Sequence, residues 1–123
     1  MTLFIYGSLK VGGFNHERFG FDKLKFLGNH TLSSYELWEI GQYPGMVYTG
    51  LVKNKVKGEL YEVDEEGKDF LYLKRVEEGA GFQLAQASGL FEQKPIFTFL
   101  YKGYVDGYTK IEGGEWKPLE STS

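Results

Sequence analysis

The chain has 123 residues, enough for one sizeable core and not for two, and its formal net charge of −3 offers no basic field for a phosphate backbone. It contains no cysteine, which excludes disulfides, thiolate metal sites and a cysteine nucleophile. Aromatic residues at 17% favour strands over helices, and the 17 glycines, which follow no repeat period, read as turns and bulges.

Thr2-Leu3-Phe4-Ile5-Tyr6 is an unbroken apolar run, the pattern of a strand buried on both faces. Gly7-Ser8 ends it, and Val11-Gly12-Gly13 with Asn15 marks a loop. Residues 19–27 fit a short helix or an irregular segment. Thr31–Ile40 is strand-like and stops at Gly41-Gln42-Tyr43-Pro44-Gly45, which carries the Pro and Gly of a turn, before another strand over Met46–Val52. Val56–Val63 reads as a strand in which Gly58 marks a bulge or a close approach.

Asp64 suits the N-cap of a helix running from Glu65 to about Glu78 and closed by Gly79. Two further strands are expected over Gln83–Ala87 and Ile96–Tyr104, followed by a turn at Val105-Asp106-Gly107 and a short extended piece at Thr109–Ile111. Together these predict an α+β fold with a strongly curved sheet, a small barrel being the closed form of it. One domain is expected over residues 1–117, with a frayed tail at 118–123. No apolar run approaches the length of a membrane span, and no cationic stretch precedes the apolar opening residues. The expected setting is cytoplasmic, with neither membrane nor nucleic acid as partner.

Two features carry chemistry. Tyr6-Gly7-Ser8-Leu9 follows the apolar strand directly, and a glycine there lets successive N–H groups turn to one side as an anion-binding nest. A plain corner between strand and loop accounts for the same residues. The second feature is the end of the helix. At roughly 100° per residue, Glu77 falls beside Phe70 and Leu73 on the apolar face. Glu78 falls with Lys74 and Arg75, where Leu71 is the lone apolar residue. A carboxylate aimed at the core is costly unless it is paired or meets a cavity, and its pKa rises accordingly. Early fraying near Gly79 would instead leave both glutamates in solvent. His16 and His30 stand isolated in polar surroundings and read as surface residues.

The opening Leu3-Phe4-Ile5-Tyr6-Gly7-Ser8-Leu9, then Tyr43-Pro44-Gly45-Met46-Val47, Val56–Val63, the Leu73–Gly79 helix end and Phe97–Tyr101 occur in the order found in the γ-glutamyl cyclotransferase-like proteins. The chain resembles that family, which includes the γ-glutamylamine cyclotransferases and the AIG2-like proteins. The resemblance implies a small mixed β-barrel flanked by helices. It also implies an intramolecular reaction, in which the α-amino group of a γ-glutamyl compound attacks its own γ-carbonyl. The products are 5-oxoproline and a free amine or amino acid. No metal or organic cofactor is implied, and the partner is a small γ-glutamyl molecule.

Setting Leu73 on the leucine of the family's Leu-Asp-x-x-Glu-Gly pattern puts the catalytic acid at Glu77, with Glu78 as the alternative if the register slips by one. Tyr6, Gly7, Ser8 and Leu9 would then hold the glutamyl end, and Tyr101 would line the pocket. Pro44 and Gly45 would shape a neighbouring loop. The chain departs from the pattern at Lys74, in place of the Asp, and at Glu78, in place of the Gly. Phe82-Gln83-Leu84 stands where the family has Tyr-x-Arg. These departures favour an alternative, a non-catalytic small-molecule-binding member of the same fold.

Overall fold

The computed structural model describes residues 1–117. In chain order the elements are β1 (Thr2–Ile5), β2 (Lys25–Ser33), β3 (Tyr35–Ile40), β4 (Tyr43–Tyr48), β5 (Lys55–Glu62), α1 (Lys68–Gly79), β6 (Phe82–Phe91), β7 (Lys94–Tyr101) and β8 (Thr109–Ile111). Short 3₁₀ turns occupy Phe21–Lys23 and Glu112–Gly114. The expectation of a frayed tail at 118–123 lies outside the described residues.

The apolar opening run becomes the central strand. β1 pairs antiparallel with β5, Phe4 opposite Leu60, and parallel with β7, Thr2 opposite Ile96, in a five-stranded sheet of order β2-β5-β1-β7-β6. Its side chains alternate between two buried clusters. Leu3 and Ile5 meet Phe70 and Leu73 of α1, while Phe4 and Tyr6 meet Leu37 and Met46 of a second sheet of order β4-β3-β8. Burial on both faces is why the run shows no alternation, and each such large side chain contributes about 2 kcal/mol.

The fold is mixed α+β, but the sheets stay open and do not close into the expected barrel. The edges β2 and β6 approach through a side chain instead of a ladder, the Ser88 hydroxyl donating to the Ser33 carbonyl, while the Ser88 N–H donates to the hydroxyl of Tyr35 in β3. Among the described residues, α1 is the single α-helix.

Several local expectations are corrected. Tyr43, Pro44 and Gly45 lie within β4, because Gly41-Gln42 already makes a two-residue hairpin that pairs Ile40 with Tyr43. Pro44 is accommodated because β4 is an edge strand of its sheet. Residues 25–33 are strand, with a register shift between Phe26 and Gly28; Ser34, at φ 82°, then carries the chain from one sheet to the other. Of the two readings of Gly58, bulge or close approach, the structure has the second, and the irregularity of this ladder lies in β2 opposite Leu60 and Tyr61. Gly58 is a close approach, since a Cβ there would lie 2.3 Å from the Ile5 carbonyl oxygen. Asp64 does not cap α1. Its carboxylate accepts the Glu66 N–H in a local turn, and the helix starts after Gly67. β6 continues to Phe91 through a bulge at Ser88-Gly89, and the reversal into β7 falls on Glu92-Gln93, both at positive φ.

Candidate active site

β1 delivers Tyr6-Gly7-Ser8-Leu9 into a pocket between the last turn of α1 and strand β4. Gly7 is required there by its neighbour: a Cβ would stand 2.7 Å from the Pro44 Cγ. The loop is held from the chain that follows. The Asn15 side-chain amide donates to the Ser8 hydroxyl at 2.9 Å, its backbone N–H donates to the Ser8 carbonyl at 3.0 Å, and the Lys10 N–H donates to the Gly7 carbonyl. The His16 Nδ1 lies 2.7 Å from the Leu9 carbonyl oxygen.

These bonds use the carbonyls of Gly7, Ser8 and Leu9 and leave their N–H groups without an acceptor among the described residues. All three residues are buried. Buried N–H groups are almost always satisfied in folded proteins, so a row of free ones bordering a cavity is suited to an anion.

Glu77 enters the same pocket from α1, beside Val76, Ala80, Phe82 and Phe99. Its carboxyl has no hydrogen bond or ion pair among the described residues. Burial among apolar side chains pushes its pKa up to about 7. The helical spacing that set it apart from Glu78 matches the structure: Glu78 is exposed and does not line the cavity, which has a volume of about 120 Å³. Tyr6 donates its hydroxyl proton to the Phe99 carbonyl at 2.6 Å and accepts the Met46 N–H at 3.3 Å. Burial, then the charge of Glu77, hold that hydroxyl protonated far above the usual phenol range.

Tyr101 is not part of the pocket wall. Its ring stands edge-on to Phe82, with centroids 5.4 Å apart, and it packs against Gly45, supporting the wall from behind. Pro44 lines the pocket directly. Of the departures from the family pattern, Lys74 lies partly exposed on α1, Leu84 packs against the core under the sheet, and Phe82 is itself a wall of the pocket.

Neither histidine is a free surface residue. Both are half-buried, His16 in the loop tie described above and His30 against Phe4 and Phe91, where burial lowers its pKa. Asn15, Arg18, Phe19 and Tyr43 also line the pocket. Sequence reasoning missed them because they lie in irregular loop or at a strand's first residue, where no periodicity assigns a face. Among the described residues, no group of His, Asp and Glu is placed to hold a metal ion, and no helix is long and apolar enough to cross a membrane.

The family described as "Gamma-glutamyl cyclotransferase, AIG2-like" matches residues 3–118. The Gamma-glutamylcyclotransferase family protein YtfP of Escherichia coli K12 is 30% identical over 117 residues, covering 94% of this chain and 96% of that one. Among solved structures, the protein PH0828 of Pyrococcus horikoshii is similar at TM-score 0.75 and 27% identity, over 94% of this chain and 88% of its own. An AIG2-like protein from Mus musculus is similar at TM-score 0.59 and 26% identity, over 85% and 77% of the two chains. The chain, whose Tyr6–Leu9 loop and half-buried Glu77 line one pocket, belongs to the γ-glutamyl cyclotransferase, AIG2-like family.

Proposed function

We propose that the protein cyclises a γ-glutamyl amine or γ-glutamyl amino acid to 5-oxoproline, with Glu77 as its acid/base. The observation that carries this reading is a half-buried carboxyl, without a partner among the described residues, lining the same small cavity as Gly7, Ser8 and Leu9, whose N–H groups have no acceptor among those residues. The substrate's α-carboxylate sits on the N–H groups of Gly7, Ser8 and Leu9. Its α-ammonium gives a proton to the Glu77 carboxylate, and the freed amine attacks the γ-carbonyl carbon of the same molecule. The new C–N bond closes the ring. As the tetrahedral intermediate collapses, Glu77 gives its proton to the departing nitrogen and the old amide C–N bond breaks. The second proton of the ring nitrogen passes by way of the freed Glu77 carboxylate to the released amine.

Little else is needed, because nucleophile and electrophile are already tethered and one positioned carboxyl with a pKa near the working pH can both take and give the proton. The Tyr6 hydroxyl, committed to the Phe99 carbonyl, shapes the site and stays out of the proton transfer.

The test is to incubate the purified protein with a panel of γ-glutamyl amines, γ-glutamyl dipeptides and glutathione and to assay 5-oxoproline. Product formed by the wild type and lost in Glu77→Gln supports the reading. A folded protein that yields none from any member is instead a binding module, the reading to which Lys74 and Leu84 point.

A further inference from the structure

Arg18 is the one cationic side chain among the residues lining the pocket, as Glu77 is the one anionic. The two stand at different depths. Ser8 and Leu9, with the free N–H groups, are 6% and 8% exposed, whereas Arg18 is an exposed residue and Tyr43, which shares the rim, is 40% exposed. The guanidinium is nevertheless steered. One of its nitrogens lies 3.4 Å from the Asn15 Oδ1, and its central carbon is 5.0 Å from the centroid of the Phe19 ring, itself buried. Asn15 in turn holds Ser8, so the rim cation and the nest are tied through one side chain. No carboxylate among the described residues pairs with Arg18, and most of its five N–H donors remain free.

From these observations we infer that Arg18 selects the leaving group, favouring γ-glutamyl substrates whose departing amine carries a carboxylate, that is, γ-glutamyl amino acids and peptides. This rests on the proposed cyclisation and narrows it. The glutamyl end is accounted for by the N–H groups at the floor, and Glu77 must stand beside the scissile nitrogen. Whatever lies beyond that nitrogen points to the rim, where it meets Arg18. A guanidinium takes a carboxylate in a forked, charge-assisted hydrogen bond and repels an ammonium at the same place. Cationic leaving groups such as diamines are therefore disfavoured by the same residue.

A matched pair isolates the effect: γ-glutamyl-alanine and γ-glutamyl-ethylamide differ only by the leaving group's carboxylate. The wild type is expected to favour γ-glutamyl-alanine by about tenfold in kcat/KM. Arg18→Gln should erase that preference by lowering γ-glutamyl-alanine turnover alone, and Arg18→Lys, which keeps the charge without the fork, should retain part of it. Equal use of the two substrates by the wild type overturns the inference. So does an Arg18→Gln variant that lowers both by the same factor, the behaviour of a residue that holds the glutamyl end or the loop. If neither substrate is cyclised, the proposed reaction fails and calorimetric binding decides the role of Arg18. Tighter binding of γ-glutamyl-alanine, lost in Arg18→Gln, upholds it; equal affinities reject it.

Discussion

The Glu77 carboxyl and the Tyr6 hydroxyl face one pocket, and the charge of the first adds to burial in keeping the second protonated. The consequence is a division of roles. Tyr6 is engaged at both ends, donating to Phe99 and accepting from Met46, so it links β1, β7 and β4 where they meet the pocket. Glu77 has no such partner among the described residues, and in the proposed reaction it is the group that exchanges a proton.

Tyr6→Phe should therefore act mainly on stability. It leaves the Phe99 carbonyl and the Met46 N–H without their partner in the interior, at a cost of about 1–3 kcal/mol. Urea denaturation measures that cost, and turnover by the folded variant should stay within about tenfold of wild type. A variant of unchanged stability that loses activity as completely as Glu77→Gln would make the hydroxyl a participant in the chemistry.

Glu77→Gln should lower kcat by about 10²- to 10⁴-fold in the 5-oxoproline assay while leaving the circular dichroism spectrum unchanged. Glu78→Gln, one position on and exposed, should retain wild-type turnover. The reverse pattern would assign the acid to Glu78.

The raised pKa of Glu77 fixes the pH dependence of both rate and stability. As base it must be ionised, so kcat/KM should rise about tenfold per pH unit on the acid side and level off above about 7. For stability the sign follows from proton uptake. Between an unfolded value of 4.5 and about 7 the folded protein binds the extra proton. The contribution of this group is thus complete below pH 4.5 and is lost as the pH rises through about 7. At pH 8, Glu77→Gln should be the more stable protein, by on the order of 2 kcal/mol, less than a fully desolvated carboxyl would give because the pocket opens to solvent. Thermal melts of the two proteins at pH 4 and pH 8 check this. A stability difference that does not change with pH would place the carboxyl in an ordinary solvated environment.

The parts of this architecture that could be read from sequence are those where one local pattern decides. β1 is an unbroken apolar run because it is buried on both faces. The face of Glu77 followed from helical spacing, which survived even though the helix begins three residues later than expected, at Lys68. What could not be read depends on contacts distant in the chain. Pro44 and Gly45 look like a turn until the Gly41-Gln42 hairpin claims the reversal. Whether β2 and β6 close a barrel is decided between strands roughly fifty residues apart, and here Ser33 and Ser88 meet by a side chain. The family resemblance implies a place for Tyr101 in the pocket, yet its ring packs edge-on to Phe82 and against Gly45, outside the lining. Arg18 and Asn15 sit in a loop whose conformation is set by hydrogen bonds to Ser8, for which sequence has no periodic signal.

The contact between Gly7 and Pro44 gives a test of the loop that is independent of proton chemistry. A Cβ on residue 7 would lie 2.7 Å from the Pro44 Cγ and 3.0 Å from its Cδ, and the proline ring, buried within β4, has no rotamer by which to withdraw. Gly7→Ala must therefore displace either the strand or the loop that carries the N–H groups, at a cost of about 1–3 kcal/mol. Displacing the loop should raise KM for any γ-glutamyl substrate more than it lowers kcat. Pro44→Ala removes the two offending carbons, so the double variant Gly7→Ala/Pro44→Ala should be less destabilised than the sum of the single ones and should regain substrate affinity. Strict additivity in denaturation and in KM would mean that Pro44 does not set the position of the loop.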